Sequence, residues 1–137
     1  MSPHVRIREA VPDDLAAVCR LGAAANLLHH QAWPDIFAGP GDPMAQATHW
    51  QRSIAAADAT TFVAGQGAQV VGFVAVFEVR EGSPLLQPVP FARVATVSVD
   101  ERHRGEGIGR ALMQRAEGWA SQRGLADMRL HVWHFNQ

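Results

Sequence analysis

Short alternating and longer helical periods of apolar residues take turns along this chain, and each predicts an element. His4-Val5-Arg6-Ile7-Arg8 alternates and reads as a short strand. Val11-Pro12-Asp13-Asp14-Leu15 opens a helix, with proline and acids where its dipole favours them, and Leu15, Val18, Cys19 and Gly22 then share one face. From Asn26 to Met44 the periodicity is lost, and prolines 34, 40 and 43 with glycines 39 and 41 exclude regular structure from the second half of this stretch. A second helix is expected over Ala45–Ala57. Two strands follow, Thr60–Ala64 and Gln69–Arg80, joined as a hairpin by Gly65-Gln66-Gly67-Ala68, and Gly72 predicts a bulge or a close approach. Glu81 to Pro90 carries three prolines and reads as a loop. Val94–Val99 reads as a buried strand, and an amphipathic helix with Ala111, Leu112, Arg115 and Trp119 at helical spacing follows it. Gly124 closes that helix at its C-cap, and Met128–Phe135 is the last expected strand.

Composition narrows the classes. A 137-residue chain forms one domain and can bury a core without disulfides or metal. A net charge of −1 gives no basic footprint, which argues against a nucleic-acid partner. The single Cys19 excludes an internal disulfide framework and suits a reducing compartment. No apolar run approaches the ~18 residues of a membrane span, and MSPHVRIREA is not a signal peptide. A cytoplasmic location with no membrane partner is the expectation. Cys19 reads as a packed thiol, since no basic neighbour activates it. His29 and His30 are adjacent and so diverge on a helix, and His131 with His134 lacks further ligands, so neither pair reads as a metal site. The loop bearing His29, His30, Trp33, Ile36 and Phe37 either lines a binding site or is pinned to the core by Trp33 and Phe37.

Chemistry concentrates between Ala92 and Gly124. The strand Val94–Val99 runs through the charged turn Asp100–Arg104 into Gly105-Glu106-Gly107-Ile108-Gly109 and then a helix start. Such a join aims several free backbone N–H groups at one point, where the helix dipole adds partial positive charge. Glycines let the backbone approach an anion closely. Arg102, Arg104 and Arg110 surround the turn with guanidinium donors suited to phosphate. The turn is neither a Walker loop, which needs four residues between its glycines and then Lys-Ser/Thr, nor a dinucleotide fingerprint, because Arg110 stands where the last glycine belongs.

Arg104-x-x-Gly107-x-Gly109 after a Val-x-Val strand resembles the acetyl-CoA signature of the GNAT family of N-acetyltransferases. The opening Ile7-Arg8-Glu9-Ala10 with Asp13-Asp14-Leu15 resembles that family's first strand and helix. The resemblance implies an α/β fold: a mixed, mostly antiparallel twisted sheet with helices on both faces. It implies acetyl transfer from acetyl-CoA to a primary amine by direct attack in a ternary complex. It places Val97 and Val99 on the pantetheine arm, and Arg104, Gly105, Gly107, Ile108, Gly109 and Arg110 on the pyrophosphate. The stretch from Asn26 to Met44 corresponds to a region that helps form the acceptor site. Asn136 matches the Asn that opens the family's next segment, a helix carrying a Tyr, whereas this chain ends at Gln137 and contains no Tyr. A single domain over residues 1–137, C-terminally incomplete after the strand ending near Phe135, is therefore expected, with a possible homo-oligomer through that strand. For the base that deprotonates the amine, His131 stands where some relatives have a catalytic Glu. Glu78 is a second candidate if it faces the cleft, and His134 is a third on the opposite side of the strand. Two rival expectations are a CoA-binding module without turnover and an inactive truncated fragment. The acceptor amine is not named by the sequence.

Overall fold

The computed structural model of this chain describes residues 5–32, 35, 43–83 and 85–130. One five-stranded sheet runs in sequence order through β1 (Val5–Glu9), β2 (Ala59–Gln66), β3 (Gln69–Ser83), β4 (Leu86–Val99) and β5 (Met128–Leu130). The first three pairings are antiparallel, and β4 with β5 is parallel. Helices α1 (Leu15–Ala32) and α2 (Pro43–Ala55) cover one face, while α3 (Ile108–Gln122) covers the other. The mixed sheet with helices on both faces is as expected. Among the described residues no helix is long and apolar enough to cross a membrane.

Alternation along the strands divides the core in two, because successive side chains point to opposite faces. Phe62, Ala64, Val74, Val76, Ala92 and Val94 meet Ile108, Leu112, Ala116 and Ala120 of α3. Val63, Phe73 and Ala75 meet Val18 and Leu21 of α1 and Trp50 of α2. On this second face α1 and α2 approach until a Cβ on Gly22 would lie 2.6 Å from the Trp50 ring. Gly22 is thus required by contact rather than by backbone angle. Gly72 satisfies both readings made of it: the β2–β3 register slips beside it at Ala64/Gly65, and its missing Cβ leaves room for Ser98 O of β4 and Leu112 of α3.

Three boundaries differ from the sequence reading, each for a physical reason. Helix α1 continues past Asn26 to Ala32, since Asn26–Ala32 contains no Gly or Pro; only its hydrophobic periodicity fails there. Helix α2 starts at Pro43, where a helix's first position tolerates the missing N–H. Glu81–Pro90 is no loop but the end of a long β3–β4 hairpin, with Arg80 opposite Pro90 and Glu81 opposite Val89. Ala92 donates its N–H to Asp127 O on the β5 side, so Pro90, two residues earlier, has its nitrogen on that same side, where β5 does not reach. Its missing donor therefore breaks no ladder bond. The join from α3 to β5 ends in a double cap, with Leu125 N–H on Ala120 O and Gly124 N–H on Ser121 O, as expected of Gly124. Trp33, Ile36, Phe37, and the strand residues expected beyond Leu130, lie outside the described residues.

The entry to α1 is fixed by Asp14. Its carboxylate accepts the Val11 N–H at 2.8 Å and two bonds from the Arg8 guanidinium, at 2.8 and 3.0 Å, in a largely buried setting. These bonds from Arg8 and Val11 outweigh desolvation and hold the Asp14 carboxyl below the usual carboxylate range. A lowered native value stabilises the fold at pH above the unfolded value of ~3.9, and the contribution is lost as pH falls through the native value. Asp14→Ala should therefore cost about 1–3 kcal/mol at pH 7, and its deficit relative to the parent should shrink on acidification toward pH 3. Urea unfolding at both pH values measures this. A deficit of the same size at both would show that the charge is not what matters.

Candidate active site

Strand β4 changes partners along its length, and the site forms where it does so. Its pairing with β3 slips between Ala75 and Val76: Val76 faces Val94 and Ala75 faces Thr96, which leaves Ala95 as an extra residue. Such a bulge re-aims the backbone. Before it, Ala92 directs its N–H to β5. After it, Asp100 directs its N–H to Val71 O of β3 at 2.7 Å, so the alternation of an antiparallel ladder turns Ser98 toward β3 and Val97 and Val99 away from it. Among the described residues the β5 pairing stops at Val94 with Leu130. The N–H and C=O groups of Val97 and Val99 therefore point away from β3, to the side on which β5 lies from Ala92 to Val94.

At the end of β4 the Asp100 carboxylate accepts the Arg102 N–H at 3.0 Å and starts one tight helical turn, Glu101–His103. That bond, with Arg20, Arg102 and His103 nearby, outweighs desolvation and holds the Asp100 carboxyl below its ordinary range. The chain then passes through Gly105 and Gly107 at φ of 82° and 81°, a left-handed conformation that glycine alone adopts cheaply. Gly107 is the N-cap of α3, and no side chain caps this end. The first intrahelical bond is from Ala111 N–H to Gly107 O, which leaves the N–H groups of Ile108, Gly109 and Arg110 without intrahelical partners. Arg104 and Arg110 are exposed beside them, and His103 Nδ1 lies 3.0 Å from Glu106 Oε2. The strand, glycine turn and helix start follow one another as expected, with N–H groups left without intrahelical partners and Arg104 and Arg110 exposed on either side of the turn.

A cavity of about 740 Å³ adjoins this edge. Its floor is Val97–Asp100, its anion end holds Arg104 and Gly109, and Leu130 of β5 closes the far side. The opposite wall is α1, through Arg20, Leu21, Ala24, Ala25, Leu27 and Leu28. Helix α1 is strapped to the sheet: Arg20 reaches Val70 O at 3.1 Å and Asp100 Oδ2 at 3.6 Å, and Ser98 Oγ donates to Leu21 O at 3.2 Å. From the sequence, the stretch from Asn26 to Met44 is expected beside the acceptor but as a loop, because loss of hydrophobic periodicity after Asn26 resembles loss of helix, whereas α1 continues to Ala32.

The structure does not bring Glu78 to the cavity. It lies on the α3 side of β3, with Arg123 Nη2 at 3.6 Å and Arg80 Nε at 3.9 Å from its carboxylate. Even numbers in this part of β3 face α3, as Val74 and Val76 do, so the condition that Glu78 face the cleft fails. His131, His134 and Asn136 lie outside the described residues. Cys19 is half-buried against the α1–α2 core and burial pushes its thiol up, in keeping with a packed side chain. Trp119 packs partly against the α3 core under the Arg123 guanidinium. Among the described residues no three His, Cys, Asp or Glu side chains converge on a metal-sized point.

Several solved structures share this fold. A mutant of the BH1408 protein from Bacillus halodurans superposes with a TM-score of 0.85 at 24% identity, covering 96% of this chain and 85% of that one. An acetyltransferase from Vibrio fischeri matches with a TM-score of 0.76 at 23% identity, over 93% of this chain and 96% of that one. A predicted acetyltransferase from Clostridium acetobutylicum, solved with acetyl-CoA, matches with a TM-score of 0.78 at 13% identity, over 97% and 84%. No curated protein matches the sequence. Residues 25–137 match the family model described as the acetyltransferase (GNAT) family, and they contain the bulged strand, the glycine turn and α3. This chain belongs to the GNAT family of acetyltransferases.

Proposed function

We propose that this chain is an N-acetyltransferase, a single domain that moves the acetyl group of acetyl-CoA onto a primary amine by direct attack in a ternary complex. The observation that carries this reading is the continuity of the β4 edge that faces away from β3 with the glycine turn and the open N-terminus of α3. A pantetheine arm carries amide groups that suit the strand edge at Val97 and Val99. Its pyrophosphate suits the free N–H groups of Ile108, Gly109 and Arg110 with the Arg104 and Arg110 guanidiniums. The left-handed Gly105 and Gly107 leave the backbone bare on that approach. The Clostridium acetobutylicum neighbour, solved with acetyl-CoA, supports the same donor here.

In this reading the amine nitrogen attacks the thioester carbonyl carbon, a C–N bond forms, the C–S bond breaks and the CoA thiolate leaves. An ammonium has no lone pair, so a base or a water relay must first take its proton. Negative charge developing on the carbonyl oxygen needs a donor, which an N–H of the β4 edge supplies. Of the acids that line the cavity, Asp100 is held ionised by the Arg102 N–H and lies at the anion end, a poor place for the base. His131 directly follows Leu130, which lines the cavity, and is proposed as the base. Asn136 is proposed as a further donor contact on the family resemblance.

Gly107→Asp should abolish acetyl-CoA binding, because a side chain strains the left-handed N-cap and its carboxylate repels the pyrophosphate. Calorimetric titration at moderate salt checks this, and wild-type affinity in the mutant would place the donor elsewhere. A base at His131 predicts activity falling as pH drops through ~6.5, and His131→Ala should lower kcat more than it raises the KM for acetyl-CoA. An unchanged pH profile in His131→Ala would move the role to solvent or another residue.

A further inference from the structure

The α1 wall of the cavity carries apolar surface that lies outside both core clusters among the described residues. Ala24, Ala25, Leu27 and Leu28 recur one turn apart on the face that lines the cavity, and none belongs to either core cluster. Leu27 and Leu28 are 43% and 46% exposed, and Leu130 across the gap is 41% exposed. Among the described residues, seven large apolar side chains are exposed, and three of them meet at this one cavity. Scattered exposed leucines need no explanation, but a cluster around a cavity beside a reaction edge does.

Charge points the same way. Helix α1 contains no Asp or Glu in its eighteen residues. The two acids that line the cavity, Asp100 and Glu101, both lie at the anion end, and Asp100 is already engaged by Arg20 and the Arg102 N–H. Among the described residues, a second or third ammonium on an acceptor would therefore meet alanine and leucine, with no acid on the α1 wall. Resting on the reading of this cavity as an amine acetylation site, we infer that its acceptor is a monoamine bearing an apolar group beside the nitrogen, comparable in size to a Leu or Phe side chain, and not a polyamine or other polycation. The apolar group lies against Leu27, Leu28 and Leu130, and the amine is directed at the β4 edge.

The test compares phenethylamine and isoamylamine with spermidine and kanamycin on the full chain, by CoA release and by calorimetric binding to CoA-saturated protein. The apolar monoamines should bind and turn over with kcat/KM at least ~10-fold above the polycations, in line with the ~10–200-fold worth of a single methylene in an apolar pocket. Leu28→Asp should cut the preference for phenethylamine over spermidine by a similar factor while leaving the KM for acetyl-CoA unchanged. Leu27→Glu is a second variant, and both positions are exposed enough for the fold to tolerate a charge. Preferred binding of spermidine or kanamycin, or a preference unmoved in both variants, would overturn the inference. Selective binding of the apolar amines to the CoA complex without CoA release would uphold the pocket's chemistry and overturn the catalytic reading instead.

Discussion

The structure depends on the way the backbone of β4 faces on either side of Ala95. Strands β4 and β5 are bonded in parallel from Ala92 to Val94 and no further among the described residues. An unpaired edge inside a domain is ordinarily a liability, because each N–H and C=O left without a partner costs free energy once it is out of water. Here the bulge at Ala95 turns the N–H and C=O groups of Val97 and Val99 away from β3 while their side chains stay against the α3 core. The same irregularity thus keeps the hydrophobic packing continuous and exposes the backbone groups. In a regular strand Thr96 and Ser98 would take this orientation in place of Val97 and Val99, since a single-residue shift moves every side chain to the other face.

The turn and helix beyond β4 are built on that edge. Asp100 closes the strand with its N–H and opens the next turn with its carboxylate. An acid beside the proposed anion site would ordinarily oppose phosphate. The Arg20 guanidinium offsets it and fastens α1 across the cavity at the same time. Helix α1 is held at three points near this end, through Val70, Asp100 and the Ser98–Leu21 bond, and its later turns line the cavity with Ala24, Ala25, Leu27 and Leu28. The anion end is polar and the opposite wall apolar, so one cavity has two chemically distinct ends.

Much of this was legible in the sequence because the relevant signals are local. The glycine turn needs particular backbone angles at Gly105 and Gly107, and α3 shows its buried face through Ile108, Leu112, Ala116 and Ala120. Both were placed correctly, as were the hairpin at Gly67 and the tight spot at Gly72. Readings failed where tertiary context decides. Pro90 looks like a strand breaker until its nitrogen is seen to face a side without a partner. The second half of α1 lost its periodicity because it faces a cavity rather than a core, and periodicity reports burial, not helicity. Glu78 was a candidate only because the sequence does not say which face of β3 it occupies; packing against Arg123 of the α3 terminus answers that.

The central claim is that the backbone of Val97 and Val99 receives the donor, and amide hydrogen exchange read residue by residue tests it most directly. On saturation with acetyl-CoA, the Val97 and Val99 amides should slow together with those of Ile108, Gly109 and Arg110, while Ser98, already bonded to β3, should change little. Unchanged exchange at Val97 and Val99 in a saturated protein would contradict it.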